Sequence, residues 1–333
     1  MRTPSLGYHD GVSGILVTGG AGFVGSHFVW AAVAAGRRVV VLDDLSGGDA
    51  APLPPGTELV VGDIGATELV RRLLRDRRIG AVAHFAGKIQ VGESVRRPEL
   101  YFDVNMVRSL SLLEVVRDAG IGALMFSSSA AVYGAPDAVP IPETAPLRPA
   151  NPYGATKLGV EHALEAYGVA HGLRWAALRY FNAAGARPDG TLSEAHRPET
   201  HLIPLALDAG LGRAPPLPVF GDDYPTPDGT CIRDYIHVCD LVDAHLAALL
   251  ALEQGATVGA VNLGTGEGHS VAEVLTAAAE VLGAPVPHQI VPRRAGDPPR
   301  LVADPTRAET LLGWRAQRRD LRVMLEDALR ARR

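Results

Sequence analysis

The chain has 333 residues, 47% hydrophobic and 21% charged, with a formal net charge of -5. That length suggests about two domains around a large core, and an acidic balance without any basic run argues against a nucleic-acid surface. No apolar run approaches the ~18 residues that a membrane span requires, so the sequence predicts neither a span nor a cleaved signal, and points to a cytoplasmic protein.

Residues 1 to 12 are polar and aperiodic and read as a loose arm. Ile15-Leu16-Val17 then reads as a short buried strand running into Thr18-Gly19-Gly20-Ala21-Gly22-Phe23-Val24-Gly25, after which Ser26 to Ala35 continue as an apolar helix. Strand, glycine turn and helix in that order form a dinucleotide site. Gly19 allows the tight turn, Gly22 lets backbone approach a pyrophosphate, and Gly25 permits close packing of helix on strand. The phosphates would lie at the positive helix N-terminus. Arg38 to Leu42 form a second strand ending in Asp43, an acid placed to accept from the adenine ribose hydroxyls and to repel a 2'-phosphate, which selects NAD over NADP. Asp63 closes the third strand, Glu58 to Val61, where it would meet the adenine.

Further strands are predicted at Ala81 to Phe85, Ala123 to Ser127 and Trp175 to Phe181, alternating with helices near Ser94 to Ala119 and Pro152 to His171. The fold class is therefore α/β, a doubly wound parallel Rossmann sheet, with ligands expected at the C-terminal ends of the strands. Phe85-Ala86-Gly87, Ser127-Ser128-Ser129 and Tyr180-Phe181-Asn182 lie at such ends. Tyr153 and Lys157 are four apart in a helical segment and so share one face. The ammonium beside the phenol stabilises its anion and makes Tyr153 a candidate base. Tyr133 and Tyr180 read as packing residues.

Past about Ala184 glycine and proline rise and the elements shorten, which predicts a smaller α/β substrate-binding domain. Strands at Tyr235 to Val238 and Val261 to Gly264, with a helix between, suggest that the chain returns to the first domain. The expected division is 13–184 for NAD, rejoined by about 235–265, and 185–333 for the substrate. Cys231 and Cys239 have no cysteine partner at metal spacing; both read as structural, and no metal is expected.

The glycine turn, Asp43-Asp44-Leu45, Gly62-Asp63-Ile64, His84-Phe85-Ala86-Gly87, Val91-Gly92-Glu93-Ser94, the Ser129 and Tyr153/Lys157 set and Arg179-Tyr180-Phe181-Asn182 resemble the extended short-chain dehydrogenases. Phe220 to Thr226, Asp228-Gly229-Thr230, Arg233 to Val238, Asn262-Leu263-Gly264, Arg293-Arg294 and Gly296-Asp297 narrow the likeness to the UDP-glucose 4-epimerase family, from Gly14 to Trp314. The resemblance implies a homodimer that interconverts UDP-galactose and UDP-glucose through a transient 4-keto sugar with tightly held NAD. Ser129, Tyr153 and Lys157 would be catalytic, with Tyr153 as base, Ser129 on the 4-oxygen and Lys157 on the nicotinamide ribose. It places NAD against Gly19, Gly22, Phe23, Val24, Gly25, Asp43, Asp63, Ile64, Phe85, Ala86, Gly87, Asn105, Ser127, Tyr153, Lys157 and Tyr180. The UDP-sugar would meet Ser129, Tyr153, Phe181, Asn182, His201, Leu202, Phe220, Arg233, Arg294, Asp297 and Leu301. Asn182, Arg233 and Arg294 would face phosphates, Asp297 the uridine ribose and Phe220 the uracil.

Four positions depart from the family pattern. Lys88 stands one residue before the family's lysine position, which Ile89 holds; His201 replaces an asparagine and Cys231 a glycine. Leu301 falls where members restricted to glucose and galactose carry tyrosine, which leaves room for an N-acetyl group. Among rivals, a 4,6-dehydratase would need carboxylates where Ala130 and Ala131 stand. A UDP-glucuronate epimerase or decarboxylase stays open, as does a non-catalytic NAD-sensing regulator.

Overall fold

The computed structural model describes residues 13–332 apart from 48–50, 195, 197 and 295. The arm expected over residues 1–12 lies outside the described residues. Six strands, β1 (Gly14–Thr18), β2 (Val39–Asp43), β3 (Glu58–Val61), β4 (Ile79–His84), β5 (Ala123–Ser129) and β6 (Arg174–Tyr180), join Gly259–Leu263 in one seven-stranded sheet. Its order is Gly259–Leu263, β6, β5, β4, β1, β2, β3, with every neighbouring pair parallel. All five residues of β1 are buried, as a strand covered on both faces must be, which is why it reads as one apolar run. The strand order reverses between β1 and β4, and a doubly wound sheet opens its ligand crevice at such a reversal.

Helices cover both faces. On one, Phe28 and Val29 of α1 (Phe23–Ala34) pack with Leu241 and Leu249 of the helix Val238–Glu253. On the other, Val70, Leu113 and Val160 come from helices Thr67–Asp76, Arg108–Asp118 and Pro152–His171. Pro152–His171 carries its own start and stop signals. Asn151 Oδ1 accepts the Gly154 N–H at 2.9 Å, Pro152 takes the first turn, and Gly172 ends it in the left-handed region.

A separate apolar cluster unites the helices Leu202–Gly210, Val271–Leu282 and Leu321–Arg330 with the strand Leu217–Phe220, through Leu207, Leu275, Leu325 and Val219. Ile232–Arg233 pairs with both Arg300–Leu301 and His269–Ser270. Tyr235–His237 does not enter the large sheet; it pairs with Asn182–Ala184 just beyond β6. Among the described residues no helix is long and apolar enough to cross a membrane.

The expected helix near Ser94 to Ala119 is broken into Val91–Arg96, Pro98–Tyr101, a π-helical turn Phe102–Val107 and Arg108–Asp118. Arg97 precedes proline and is driven out of helical geometry, with φ -136° and ψ 60°. The wide turn then carries Asn105, 2% exposed, into the protein; such turns cluster at functional sites.

Candidate functional site

One cavity of about 1010 Å³ follows the crevice from the glycine turn to the second cluster. Its first end is made by backbone. Gly22 caps α1 without any side-chain hydrogen bond, so the first amide N–H groups and the helix dipole face the cavity for an anion. Gly19 has φ +71°, and a Cβ there would stand 2.5 Å from the Ala86 nitrogen; a Cβ on Gly25 would collide with the Gly19 carbonyl oxygen. The cradle therefore requires glycine at both positions. Asp43, at the end of β2, holds this turn: its Oδ2 accepts the Ala21 N–H and its Oδ1 the Leu45 N–H, each at 2.9 Å. Burial pushes its carboxyl above the usual range against those two bonds. Asp63 accepts the Gly65 N–H at 2.7 Å and pairs with Arg108, which also holds Asp103. A glycine cradle, an acid lining the cavity at the end of β2 and another just past β3 fit an adenine dinucleotide.

The reactive end lies where β5 stops. Ser129 is the last residue of β5, and Tyr153 and Lys157 project from the first two turns of Pro152–His171. Tyr153 is 9% and Lys157 3% exposed. The Lys157 ammonium stands 5.8 Å from the Tyr153 ring centre and donates to the Ser127 carbonyl at 2.9 Å. Burial lowers Lys157 to a pKa of about 8. Tyr153 does not show the lowered pKa expected from its lysine neighbour. Burial pushes the phenol up, and the Ser129 hydroxyl opposes that shift, because both groups are desolvated and the ammonium is engaged by a carbonyl. Ser127 Oγ and Tyr180 hydroxyl lie 2.5 Å apart, so Tyr180 both packs and lines the cavity. Behind them a buried network holds the strand ends: Arg179 bonds Glu161 through Nε at 3.0 Å and Nη2 at 2.5 Å and donates to the Tyr133 hydroxyl at 2.9 Å, which donates to Asn262 Oδ1 at 2.7 Å.

The far end is lined by side chains of the second cluster and its loops. Asp234, fully buried, takes backbone N–H bonds from Thr265, Gly266 and Ala303 and so fixes the strand carrying Arg233. Arg233 approaches Asp297 at 3.7 Å. The Arg294 guanidinium stacks over the Phe220 ring at 3.9 Å, and Leu301 pairs in register with Arg233. His201 Nδ1 lies 2.8 Å from Glu199, and the two nearby carboxylates, Glu199 and Glu194, outweigh its burial to raise its pKa.

Of the residues singled out by sequence, the cavity gathers Gly19, Gly22, Phe23, Val24, Gly25, Asp43, Asp63, Ile64, Phe85, Ala86, Gly87, Ser127, Ser129, Tyr153, Lys157, Tyr180, Phe181, Asn182, His201, Leu202, Phe220, Arg233, Arg294, Asp297 and Leu301. Asn105 is the exception: it sits behind the wall, where its Oδ1 accepts the Lys88 N–H at 2.7 Å and its amide donates to the Lys88 carbonyl at 2.9 Å. It braces the Gly87-Lys88 loop. Lys88 and Cys231 both line the cavity, Lys88 with its ammonium 3.5 Å from Ser46 Oγ. Sequence reasoning missed Arg108, Glu194, His196 and Glu199 on the wall, since they lie in no recognisable spacing.

Residues 15–264 match the NAD dependent epimerase/dehydratase family. A UDP-glucose 4-epimerase of Azospirillum brasilense is 54% identical over 300 residues, 90% of this chain and 86% of that protein. The crystal structure of UDP-glucose 4-epimerase from Brucella ovis in complex with NAD superposes with a TM-score of 0.92 at 46% identity, covering 96% of this chain and 98% of that one. The Bifidobacterium longum enzyme in complex with NAD+ and UDP gives 0.90 at 37% identity, with the same coverage.

Proposed function

Because this chain belongs to the NAD dependent epimerase/dehydratase family, we propose that it interconverts UDP-galactose and UDP-glucose by inverting the sugar C4. The observation that carries the proposal is the convergence of the glycine cradle, the Ser129, Tyr153 and Lys157 set, and the Arg233 and Arg294 guanidiniums on one cavity. The cradle, Asp43 and Asp63 hold NAD, and the arginines hold a diphosphate through paired, charge-assisted bonds. Residues 13–184, rejoined by about 235–265, serve the cofactor; 185–333 serve the UDP-sugar.

NAD, when bound, supplies the acceptor for hydrogen leaving C4 and its donor on return, so that a 4-keto sugar forms transiently. Tyr153 takes the proton of the sugar 4-hydroxyl and gives it back to the opposite configuration. Ser129 hydrogen-bonds the 4-oxygen and shares its proton path, and Lys157 supplies positive charge near the phenol while holding the ribose side. The 9% exposure of Tyr153 keeps bulk water from that proton. Ala130 and Ala131 beside Ser129 offer no carboxylate for eliminating water, which supports epimerisation over dehydration. Leu301 leaves more room than tyrosine, which extends the proposal to UDP-N-acetylglucosamine.

Val95, Phe102 and Val107, all exposed along the broken helix, support pairing of two copies over that face, and both cysteines are free thiols, in keeping with the cytoplasm. Denaturing purified protein should release NAD, and native protein should convert UDP-galactose to UDP-glucose. Bound NAD without conversion would instead indicate a regulator, and conversion confined to UDP-glucuronate would indicate the uronate enzyme.

A further inference from the structure

We propose that Glu194, His196 and His201 form a binding site for a divalent transition cation of the zinc class on the wall of the cavity. A carboxylate oxygen and two imidazole nitrogens from these residues lie within 4.8 Å of one another. His196 Nδ1 contacts one oxygen of Glu194, while His201 Nδ1 is 3.6 Å from the other. The two rings lie 5.5 Å apart and tilted by 44°, so neither stacks on the other and both turn a nitrogen to the same carboxylate.

Among the described residues Glu194 differs from the other buried carboxylates in its partners. Five carboxylates are buried among the described residues: Glu161, Glu194, Asp234, Asp240 and Asp327. Four have strong donors. Arg179 holds Glu161, three backbone N–H groups hold Asp234, Arg318 with the Gln317 N–H holds Asp240, and Arg330 holds Asp327. Glu194, 7% exposed, has only the two imidazoles among the described residues. Among the described residues no guanidinium, ammonium or amide reaches that carboxylate, and a bound cation would offset its burial.

Two imidazoles and a carboxylate suit zinc-class ions, whereas magnesium and calcium prefer sets of oxygens alone. A fourth donor stands ready in Glu199, whose Oε1 is 2.8 Å from His201 Nδ1 and is already oriented by the Thr200 and His201 N–H groups at 2.7 and 2.8 Å. The ion would join Glu194 and His196 to His201, the N-cap of the helix Leu202–Gly210. That clasp fixes the loop forming the far wall. On the diphosphate reading above, it also offsets two carboxylates, Glu194 and Glu199, that would otherwise face an anion across the same cavity; the ligand geometry stands without that reading.

The test is zinc titration of tag-free protein, stripped with a chelator and without UDP-sugar, read by calorimetry and by melting temperature. Wild type should take up one equivalent and melt higher with zinc. His196→Gln and Glu194→Gln should each bind at least about tenfold more weakly, the lower end of what even an outer partner to a metal is worth, and His269→Gln should bind as wild type. No saturable zinc uptake, unchanged affinity in His196→Gln, or preference for magnesium or calcium overturns the proposal. The His196 variant and the wild-type isotherm decide the matter if Glu194→Gln fails to fold. Zinc uptake in protein inactive on UDP-sugars would sink the epimerase reading alone, and an active enzyme that ignores zinc would sink this one alone.

Discussion

Replacing Tyr153 by phenylalanine separates chemistry from structure because the two effects differ in size. The ring sits edge-on to Tyr101, centroids 6.5 Å apart at 88°, and phenylalanine keeps that contact. The phenol's side-chain partner is Ser129, so the fold loses about one neutral hydrogen bond, ~1 kcal/mol, and the Tm should fall by no more than a few degrees. The glycine cradle is untouched, so the NAD content after denaturation should match wild type. The reaction, however, loses the group that moves the 4-hydroxyl proton, a role worth about 10²- to 10⁴-fold in rate, or ~3 to 5 kcal/mol. The assay follows UDP-glucose formed from UDP-galactose, with NAD measured in the same preparation. A kcat within about threefold of wild type, less than ~1 kcal/mol of barrier, would refute the assignment of Tyr153 as base. Loss of NAD together with activity would refute the claim that its hydroxyl acts in chemistry alone.

Asn105→Ala leaves the Lys88 N–H and carbonyl without their partner, a cost of about 1 to 3 kcal/mol; NAD should bind more weakly with a smaller change in kcat at saturating NAD, and unaltered NAD affinity would remove Asn105 from loop positioning. Leu301→Tyr fills the wall beside Arg233 and should depress turnover of UDP-N-acetylglucosamine relative to UDP-glucose, whereas an unchanged ratio would detach Leu301 from selectivity. Lys157 is lowered by burial from 10.5 to about 8, so between those pH values it is neutral in the folded chain and protonated in the unfolded one. Folding stability therefore rises with pH across that window. In NAD-free protein, urea unfolding of wild type measured against Lys157→Met should show this rise, up to ~3 kcal/mol, and parallel curves would contradict it.

Local features were legible. The glycine turn, Asp43, and the four-residue spacing of Tyr153 and Lys157 each lie within one strand, turn or helix, where periodicity and backbone demands act directly. The alternation of strands and helices pointed in the same way to a parallel doubly wound sheet, though not to its strand order. The break at Pro98 could be seen in the residue itself, but the wide turn that follows could not, since its register depends on Asn105 reaching the Lys88 backbone. Likewise Asn105 lies on the helix that faces the cofactor crevice yet stands behind the wall, a distinction of a few ångströms that spacing cannot make. The Glu194, His196, Glu199 and His201 group escaped because it lies in an irregular loop with no period to mark a common face.

Tyr153 shows most plainly what tertiary structure adds to a motif. Sequence pairs a phenol with an ammonium and implies a ready base, and the fold does bring the two together, with the ammonium 5.8 Å from the ring centre. The same fold that brings them together removes both from water, which lifts the phenol and drops the lysine to about 8. Near neutral pH Lys157 stays charged, but burial dominates at the phenol, which remains protonated. On the proposed mechanism such a base would gain from further positive charge in the cavity, which oxidised NAD held by the cradle at Gly19 to Gly25 would supply. On that mechanism, proton abstraction by Tyr153 would then be tied through electrostatics to an occupied, oxidised site.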